Sequence, residues 1–230
     1  MKGSLYLIPV PISEGDPLMV YPLLESTVNI LDEFIVEDLK TARRSLRKIG
    51  FKGDFDKTTF YLLNEHTNSK AIDSFLASAE KGKNIGLMSD AGMPCIADPG
   101  SAIVRLAHKK GIKVVPLYGP SSILLALAAS GLNGQNFCFH GYLPKEQANR
   151  KKKLKEIEKK EGAQIFIETP YRNNHLFEDV LSTCSSDRLF CVASDISGKS
   201  ERIITKSVAE WKRGEHHDLD KVPTVFLLGR

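Results

Sequence analysis

The segment Met88-Ser89-Asp90-Ala91-Gly92-Met93-Pro94-Cys95-Ile96-Ala97-Asp98-Pro99-Gly100 decides how this chain is read. It follows a short apolar run, NIGLMS (84–89), and precedes an amphipathic stretch, SAIVRLAHKK (101–110), so it is a strand-to-helix loop with Ser101 placed to cap the helix. Gly92 and Gly100 permit positive φ or a close approach of backbone to a ligand, and Pro94 and Pro99 hold the loop open. Two readings follow from composition. The loop is a ligand site, or it is a structural turn in which Asp90 caps and Asp98 accepts from nearby amides.

Working outward, β-branched or aromatic runs alternate with helix-length amphipathic segments, the pattern of βαβ units on a parallel sheet. Strands are expected at 4–10, 33–37, 59–63, 84–89 and 113–118, with helices near 17–30, 39–49, 68–81 and 101–110. Gly50 and Gly111 each follow a basic last turn, as left-handed C-terminal caps do. Gly119-Pro120-Ser121-Ser122 then breaks the rhythm and opens an apolar helix, ILLALAAS, ending at Gly131 and expected to be buried nearly all round. A second series follows, with strands at 136–143, 163–169, 188–194 and 222–229 and helices to about 160, at 172–184 and near 206–213. This is an α/β chain of two domains, 1–118 and 119–230.

In open α/β sheets, ligands bind beyond the carboxyl ends of the strands where the topology switches. On that edge the Asp90 loop is joined by Pro9-Val10-Pro11-Ile12, Glu37-Asp38 and Asn64-Glu65-His66. Several polar or proline-bearing loops on one edge mark it as the candidate site, although Glu37-Asp38 also suits the N-terminal dipole of the next helix, and His66 also suits a surface role. No GxGxxG follows a strand and no P-loop motif is present, which argues against those two nucleotide sites.

Bulk properties narrow the class further. The 230 residues carry a formal net charge of +4, a mild excess that admits a polyanionic partner without requiring one. The basic stretch Lys145–Lys160 contains acids and no interleaved aromatics, so it reads as a solvated helix before it reads as a nucleic-acid contact. Cys95, Cys138, Cys184 and Cys191 share no CxxC spacing, and His216-His217 lacks partners at ligand spacing, so no metal site or disulfide framework is expected. No export signal and no membrane span are apparent, and the expected location is the cytoplasm.

The motifs then converge. SDAGMPCIADPG resembles the SDAG…DPG signature of the tetrapyrrole methylase superfamily, in the branch that holds the ribosomal small-subunit RNA ribose 2′-O-methyltransferases. GSLYLIPVPI (3–12), VEDLKTARRSL (36–46), NEHT (64–67), YGPSSILLALAASGL (118–132), FCFHGYLPKEQANR (137–150) and IFIETPYR (165–172) match further motifs of that branch in order. The resemblance implies a two-domain fold, an open parallel sheet followed by an α/β domain with a mixed sheet. It implies S-adenosyl-L-methionine in the cleft between the domains, a homodimer, and methyl transfer in rRNA processing.

Carried over by position, the resemblance assigns cofactor binding to Pro11, Ser89, Asp90, Ala91, Gly92, Ile96, Ala97, Pro120, Ser121, Ser122, Leu132 and Tyr171. Glu37, Arg43 and Glu168 fall on the acceptor side as catalytic candidates, with Arg44 and Arg172 as further anion holders; salt bridging among these groups is the structural alternative. The chain departs from the branch at Ser13–Leu18, at Ala193–Lys199, at Leu39 where the branch has Thr, and by ending at Arg230 without a short extension. These departures imply a diverged paralogue and leave three acceptor readings: RNA, a small tetrapyrrole-like molecule, or a cofactor-binding protein that has lost catalysis.

Overall fold

The computed structural model describes residues 1–13, 21–64 and 67–230, with Ser69 and Lys70 described by backbone alone. The chain divides into two compact units, Met1–Ser121 and Ser122–Arg230. In the first unit β1 (Ser4–Ile8), α1 (Pro22–Val28), β2 (Glu33–Val36), α2 (Leu39–Ile49), β3 (Thr59–Leu62), α3 (Ser69–Ser74), α4 (Ala77–Glu80), β4 (Ile85–Met88), α5 (Ser101–Lys109) and β5 (Lys113–Pro116) follow in order. All five strands pair in parallel, in the order β3-β2-β4-β1-β5.

Side-chain alternation along each strand builds a layer on both faces. Ile8, Phe34, Val36 and Met88 pack with Leu24, Val28, Leu46 and Ile49 of α1 and α2. Leu5, Ile35, Ile85 and Leu87 pack on the opposite side with Leu76, Ala79, Ile103 and Ala107. The chain leaves β1 toward β2 and leaves β4 toward β5, in opposite directions from neighbouring strands, so the topological switch lies between β1 and β4.

The second unit runs α6 (Ser122–Ala129), β6 (Phe137–Tyr142), α7 (Gln147–Glu158), β7 (Ala163–Ile167), a 3-10 turn (Pro170–Arg172), α8 (Asn173–Thr183), β8 (Leu189–Ser194), β9 (Arg202–Ser207), α9 (Val208–Arg213) and β10 (Thr224–Gly229). Its sheet, β6-β7-β10-β8-β9, is mixed: β6 and β7 are parallel and the remaining pairs antiparallel. Phe166, Phe177, Phe190, Trp211 and Phe226 centre its core, and the Trp211 indole N–H donates to the Phe190 carbonyl at 2.8 Å.

Four details differ from the sequence reading. The span 68–81 is two short helices, α5 is preceded by Gly100 at the cap position without a side-chain cap from Ser101, and α6 buries only Ile123, Ala126 and Leu127 while Leu124 and Leu125 are exposed. The fourth is β9, a strand the periodicity did not single out. Its β-branched Ile203-Ile204-Thr205 core is short, and antiparallel pairing with β8, rather than its own pattern, makes it a strand.

Candidate functional site

The loops after β1 and β4 are joined directly. Val10 N–H donates to the Gly92 carbonyl at 3.0 Å and Gly92 N–H donates back at 3.1 Å. Gly92 has φ +72°, and a Cβ there would lie 3.1 Å from Ile12 Cγ2 and 3.2 Å from the Pro120 carbonyl oxygen; only glycine meets both demands without strain. After β5, Gly119 approaches Pro9 so closely that a Cβ would fall 2.0 Å from the proline Cβ. Pro9, Gly92, Gly119 and Pro120 therefore form one backbone frame at the switch point.

Within that frame the Asp90 loop is held by its other aspartate. Asp98 accepts from Cys95 N–H and from Gly100 N–H, each at 2.7 Å, and Cys95 and Ala97 both take positive φ, 72° and 67°. Two non-glycine residues in that region within three positions are costly, of order 1–3 kcal/mol each, and persist because the surrounding bonds over-determine them. Ala91, Ile96 and Ala97 are exposed on the loop, while Ser89 is buried with its hydroxyl donating to Ala91 O at 3.2 Å.

The electrostatics of this edge are acidic. Half-buried Glu37 accepts from Asp90 N–H at 3.3 Å. Burial, and then the Asp98 and Asp90 carboxylates, push its carboxyl up to about 7, against the smaller lowering by that hydrogen bond. Asp90 is exposed and also raised, by burial of its carboxylate and by Asp38. Asp98 is raised by burial despite its amide donors, and Cys95 beside it is pushed up to about 12 by burial and Asp98. Asp38 instead caps α2, accepting from Thr41 N–H at 2.8 Å.

Arg43 does not join this cluster. Its guanidinium lies 5.5 Å from the ring centroids of both Phe55 and Phe60, its buried Nε has no hydrogen-bond partner, and among the described residues no ion pair links it to Glu37. It is one helical turn and more along α2, where the aromatic layer claims it. Pro11 is half-buried on the β1 loop, and Pro120 and Ser121 close the first unit. Asn64 sits after β3, whereas Glu65, His66 and Glu14–Leu18 lie outside the described residues.

The second unit has its own polar centre at the carboxyl end of β7. Glu168 is buried, pairs with Arg172 and accepts from Thr169 N–H at 2.7 Å. Glu168 Oε2, Arg172 Nε and Asn173 Oδ1 are buried without hydrogen-bond partners, while Asn173 Nδ2 donates to Val222 O at 2.7 Å. Tyr171 stands exposed between them. Leu132 lies elsewhere: it packs on Gly229 at the far end of β10, where the register runs away from Glu168. Ser122 begins α6.

Asp98 and Asn173 are residues of the candidate site that sequence reasoning undervalued. Asp98 lies inside the quoted loop and was legible as a turn aspartate. Asn173 carries no sequence signal beyond following Pro-Tyr-Arg. Among the described residues no group of three or more metal-ligating side chains occurs.

Residues 12–212 match the family described as tetrapyrrole (corrin/porphyrin) methylases. The chain belongs to this family. As a tetrapyrrole methylase family member it is 32% identical, over 209 residues, to a protein named ribosomal RNA small subunit methyltransferase I from Escherichia coli O157:H7. That alignment covers 91% of this chain and 71% of the relative. The protein of the same name from Bacillus subtilis (strain 168) is 30% identical, covering 90% of this chain and 68% of the relative. Among solved structures, the methyltransferase CobJ superposes with a TM-score of 0.65 at 18% identity, covering 99% of this chain and 94% of that one. A uroporphyrin-III C-methyl transferase from Thermus thermophilus complexed with S-adenyl homocysteine gives 0.61 at 15% identity, covering 99% and 98%. These similarities establish the same fold.

Proposed function

We propose that the protein is an S-adenosylmethionine-dependent methyltransferase that modifies a ribose 2′-hydroxyl of small-subunit ribosomal RNA. The observation that carries this reading is the identity of about one residue in three, across nine-tenths of the chain, to proteins named for that RNA. The tetrapyrrole enzymes share the fold at only 15–18% identity, which favours RNA over a small tetrapyrrole-like acceptor. The cytoplasm and a homodimer complete the reading, supported by four free cysteines and by the exposed apolar residues Phe137, Tyr142, Leu124 and Leu125.

The residues of the first unit suit the methyl donor. When bound, S-adenosylmethionine supplies a methyl group on a sulfonium cation and carries an ammonium group besides. Glu37, Asp90 and Asp98 form a carboxylate cluster whose members are all raised, first by burial and, for Glu37 and Asp90, also by neighbouring carboxylates. A cationic ligand relieves that repulsion. The Val10–Gly92 bridge leaves Pro11, Ala91, Ile96 and Ala97 to offer backbone groups and apolar surface to the remainder of the ligand, with Ser89, Pro120 and Ser121 supporting them. Ser122, Leu132 and Tyr171 remain cofactor residues by family position, and Arg43 and Glu168 acceptor-side residues.

Glu37 is the residue best placed to handle the acceptor proton. A carboxyl titrating near 7 is about half ionised at neutral pH, so Glu37 would take the hydroxyl proton and end protonated as the methyl passes to oxygen, the broken sulfur–methyl bond leaving its electron pair on sulfur. Asp90, through its N–H on the Glu37 carboxylate, keeps that carboxylate in place. The Glu168–Arg172 pair also holds the turn after β7.

The deciding experiment incubates purified protein and radiolabelled S-adenosylmethionine with small ribosomal subunits from a strain deleted for the gene. Label in the RNA at a ribose is expected. Label only in tetrapyrrole-like compounds, or cofactor binding without any methylated product, overturns the assignment in favour of the small-molecule or the non-catalytic alternative.

A further inference from the structure

Tyr118 is the most exposed Phe, Tyr or Trp among the described residues, at 82%, and it stands on a fixed piece of backbone. Leu117 before it is buried and donates its N–H to Leu7 O at 3.1 Å. Gly119 after it lies against Pro9, where a Cβ has no room. The Tyr118 carbonyl accepts from the Tyr21 hydroxyl at 2.9 Å. Tyr21, the residue before α1, is itself anchored, because it packs against the apolar layer of α1 and α2. The two tyrosine rings meet in an edge contact, with centroids 6.4 Å apart and planes at 63°. Such a contact fixes the Tyr118 ring and occupies at most one of its faces. An aromatic group held this way loses little conformational freedom when a planar group stacks on it.

Its place in the sheet ties Tyr118 to the candidate site. Strands β2, β4, β1 and β5 are consecutive neighbours, and Glu37, Asp90, Pro9 and Tyr118 follow their respective carboxyl ends. The edge from Glu37 to Tyr118 therefore spans three strand spacings, about 14 Å, which a single RNA strand covers in about four stacked nucleotides. Glu37, Asp90 and Asp98 make that edge acidic. Phosphates are repelled there, so a strand is gripped through the uncharged faces of its bases. A ligand of the methyl donor's size is mostly enclosed by its site, and a ring that is 82% exposed encloses nothing. That favours a base of a long strand over the adenine of the donor.

We propose that Tyr118, held by Tyr21, is a stacking platform for an unpaired base of the acceptor RNA and aligns the strand along the edge that leads to Glu37. This proposal rests on the RNA reading of the acceptor. Every base has a π face, so the contact is independent of base identity, and it involves no phosphate.

Fluorescence anisotropy of a labelled oligoadenylate with the full chain, across a salt series, tests this. Tyr118→Ala is expected to bind about tenfold more weakly with an unchanged log–log salt slope, since a lost stacking contact alters no counterion release. Tyr118→Phe keeps the ring and should stay within about twofold of wild type. Calorimetry should give both variants the wild-type affinity for S-adenosylmethionine. Equal RNA binding by wild type and Tyr118→Ala, a shrunken salt slope in Tyr118→Ala, or a loss in Tyr118→Phe as large as in Tyr118→Ala overturns the proposal while leaving the RNA reading intact. Weakened S-adenosylmethionine binding with RNA binding unchanged overturns it too and assigns the ring to the donor's adenine. No RNA binding by wild type even at low salt removes the RNA reading itself, and the proposal with it.

Discussion

Glu37 and Glu168 occupy equivalent places, each just past the carboxyl end of a strand, one in each unit, yet their surroundings give them opposite characters. Glu37 faces Asp90 and Asp98 and titrates near 7. Glu168 is enclosed, bonded to its own turn and paired with Arg172. A carboxylate short of positive charge is poised to exchange a proton or attract a cation; one already matched to a guanidinium is a structural anchor. Residue type and topological position are shared, so the neighbours alone set the two electrostatic characters.

The comparison breaks most visibly in catalysis. Glu37→Gln should lower kcat for methyl transfer about 10²–10⁴-fold, the span expected when a general base is removed, with the fold intact by circular dichroism. In wild type kcat/KM should climb as pH rises through about 7, following ionisation of Glu37 in the free enzyme, and this limb should vanish in Glu37→Gln. An unchanged pH profile in that variant would remove Glu37 from the reaction.

Arg172→Ala should act on stability instead, costing about 3–5 kcal/mol in urea unfolding because it strands a buried carboxylate. A cost below about 1 kcal/mol would mean that Glu168 is as adaptable as Glu37, and the contrast between the two would fail. Gly92→Val is a smaller perturbation of the first site. A β-branched residue at φ +72°, with its Cβ against Ile12 and Pro120, should cost about 1–3 kcal/mol and weaken S-adenosylmethionine binding by calorimetry.

The smallest effect is on stability against pH. Between the ordinary carboxylate range and about 7, folded Glu37 keeps a proton that the unfolded chain has lost. Its contribution to stability is therefore fully present below the unfolded pKa and is lost as pH rises through about 7. Denaturant melts of Glu37→Gln should show a shallower fall across that window than wild type; parallel curves would assign the raised pKa elsewhere.

Much of this was legible in the sequence. Strand alternation placed five strands of the first unit within two residues of their observed ends, because a sheet buried on both faces demands uninterrupted apolar runs. The quoted loop was recognised from Gly92 and its prolines, residues whose backbone preferences act locally. That the Arg43 guanidinium rests on Phe55 and Phe60 was not legible, since nothing in the order of residues says which side of α2 faces the aromatic layer. β9 escaped notice because its strand character comes from β8, and the exposure of Leu124 and Leu125 because composition does not reveal how many sides of a helix are covered.

By itself the sequence determined the α/β class, the family motifs and the edge of the sheet that carries the candidate site, all consequences of local periodicity and of glycine and proline geometry. Only the tertiary structure decided that Asp90 and Asp98 crowd Glu37 and that Arg43 rests on Phe55 and Phe60. Each of those depends on distances between residues far apart in the chain, and electrostatic energy follows distance and burial, which a linear order of side chains does not contain.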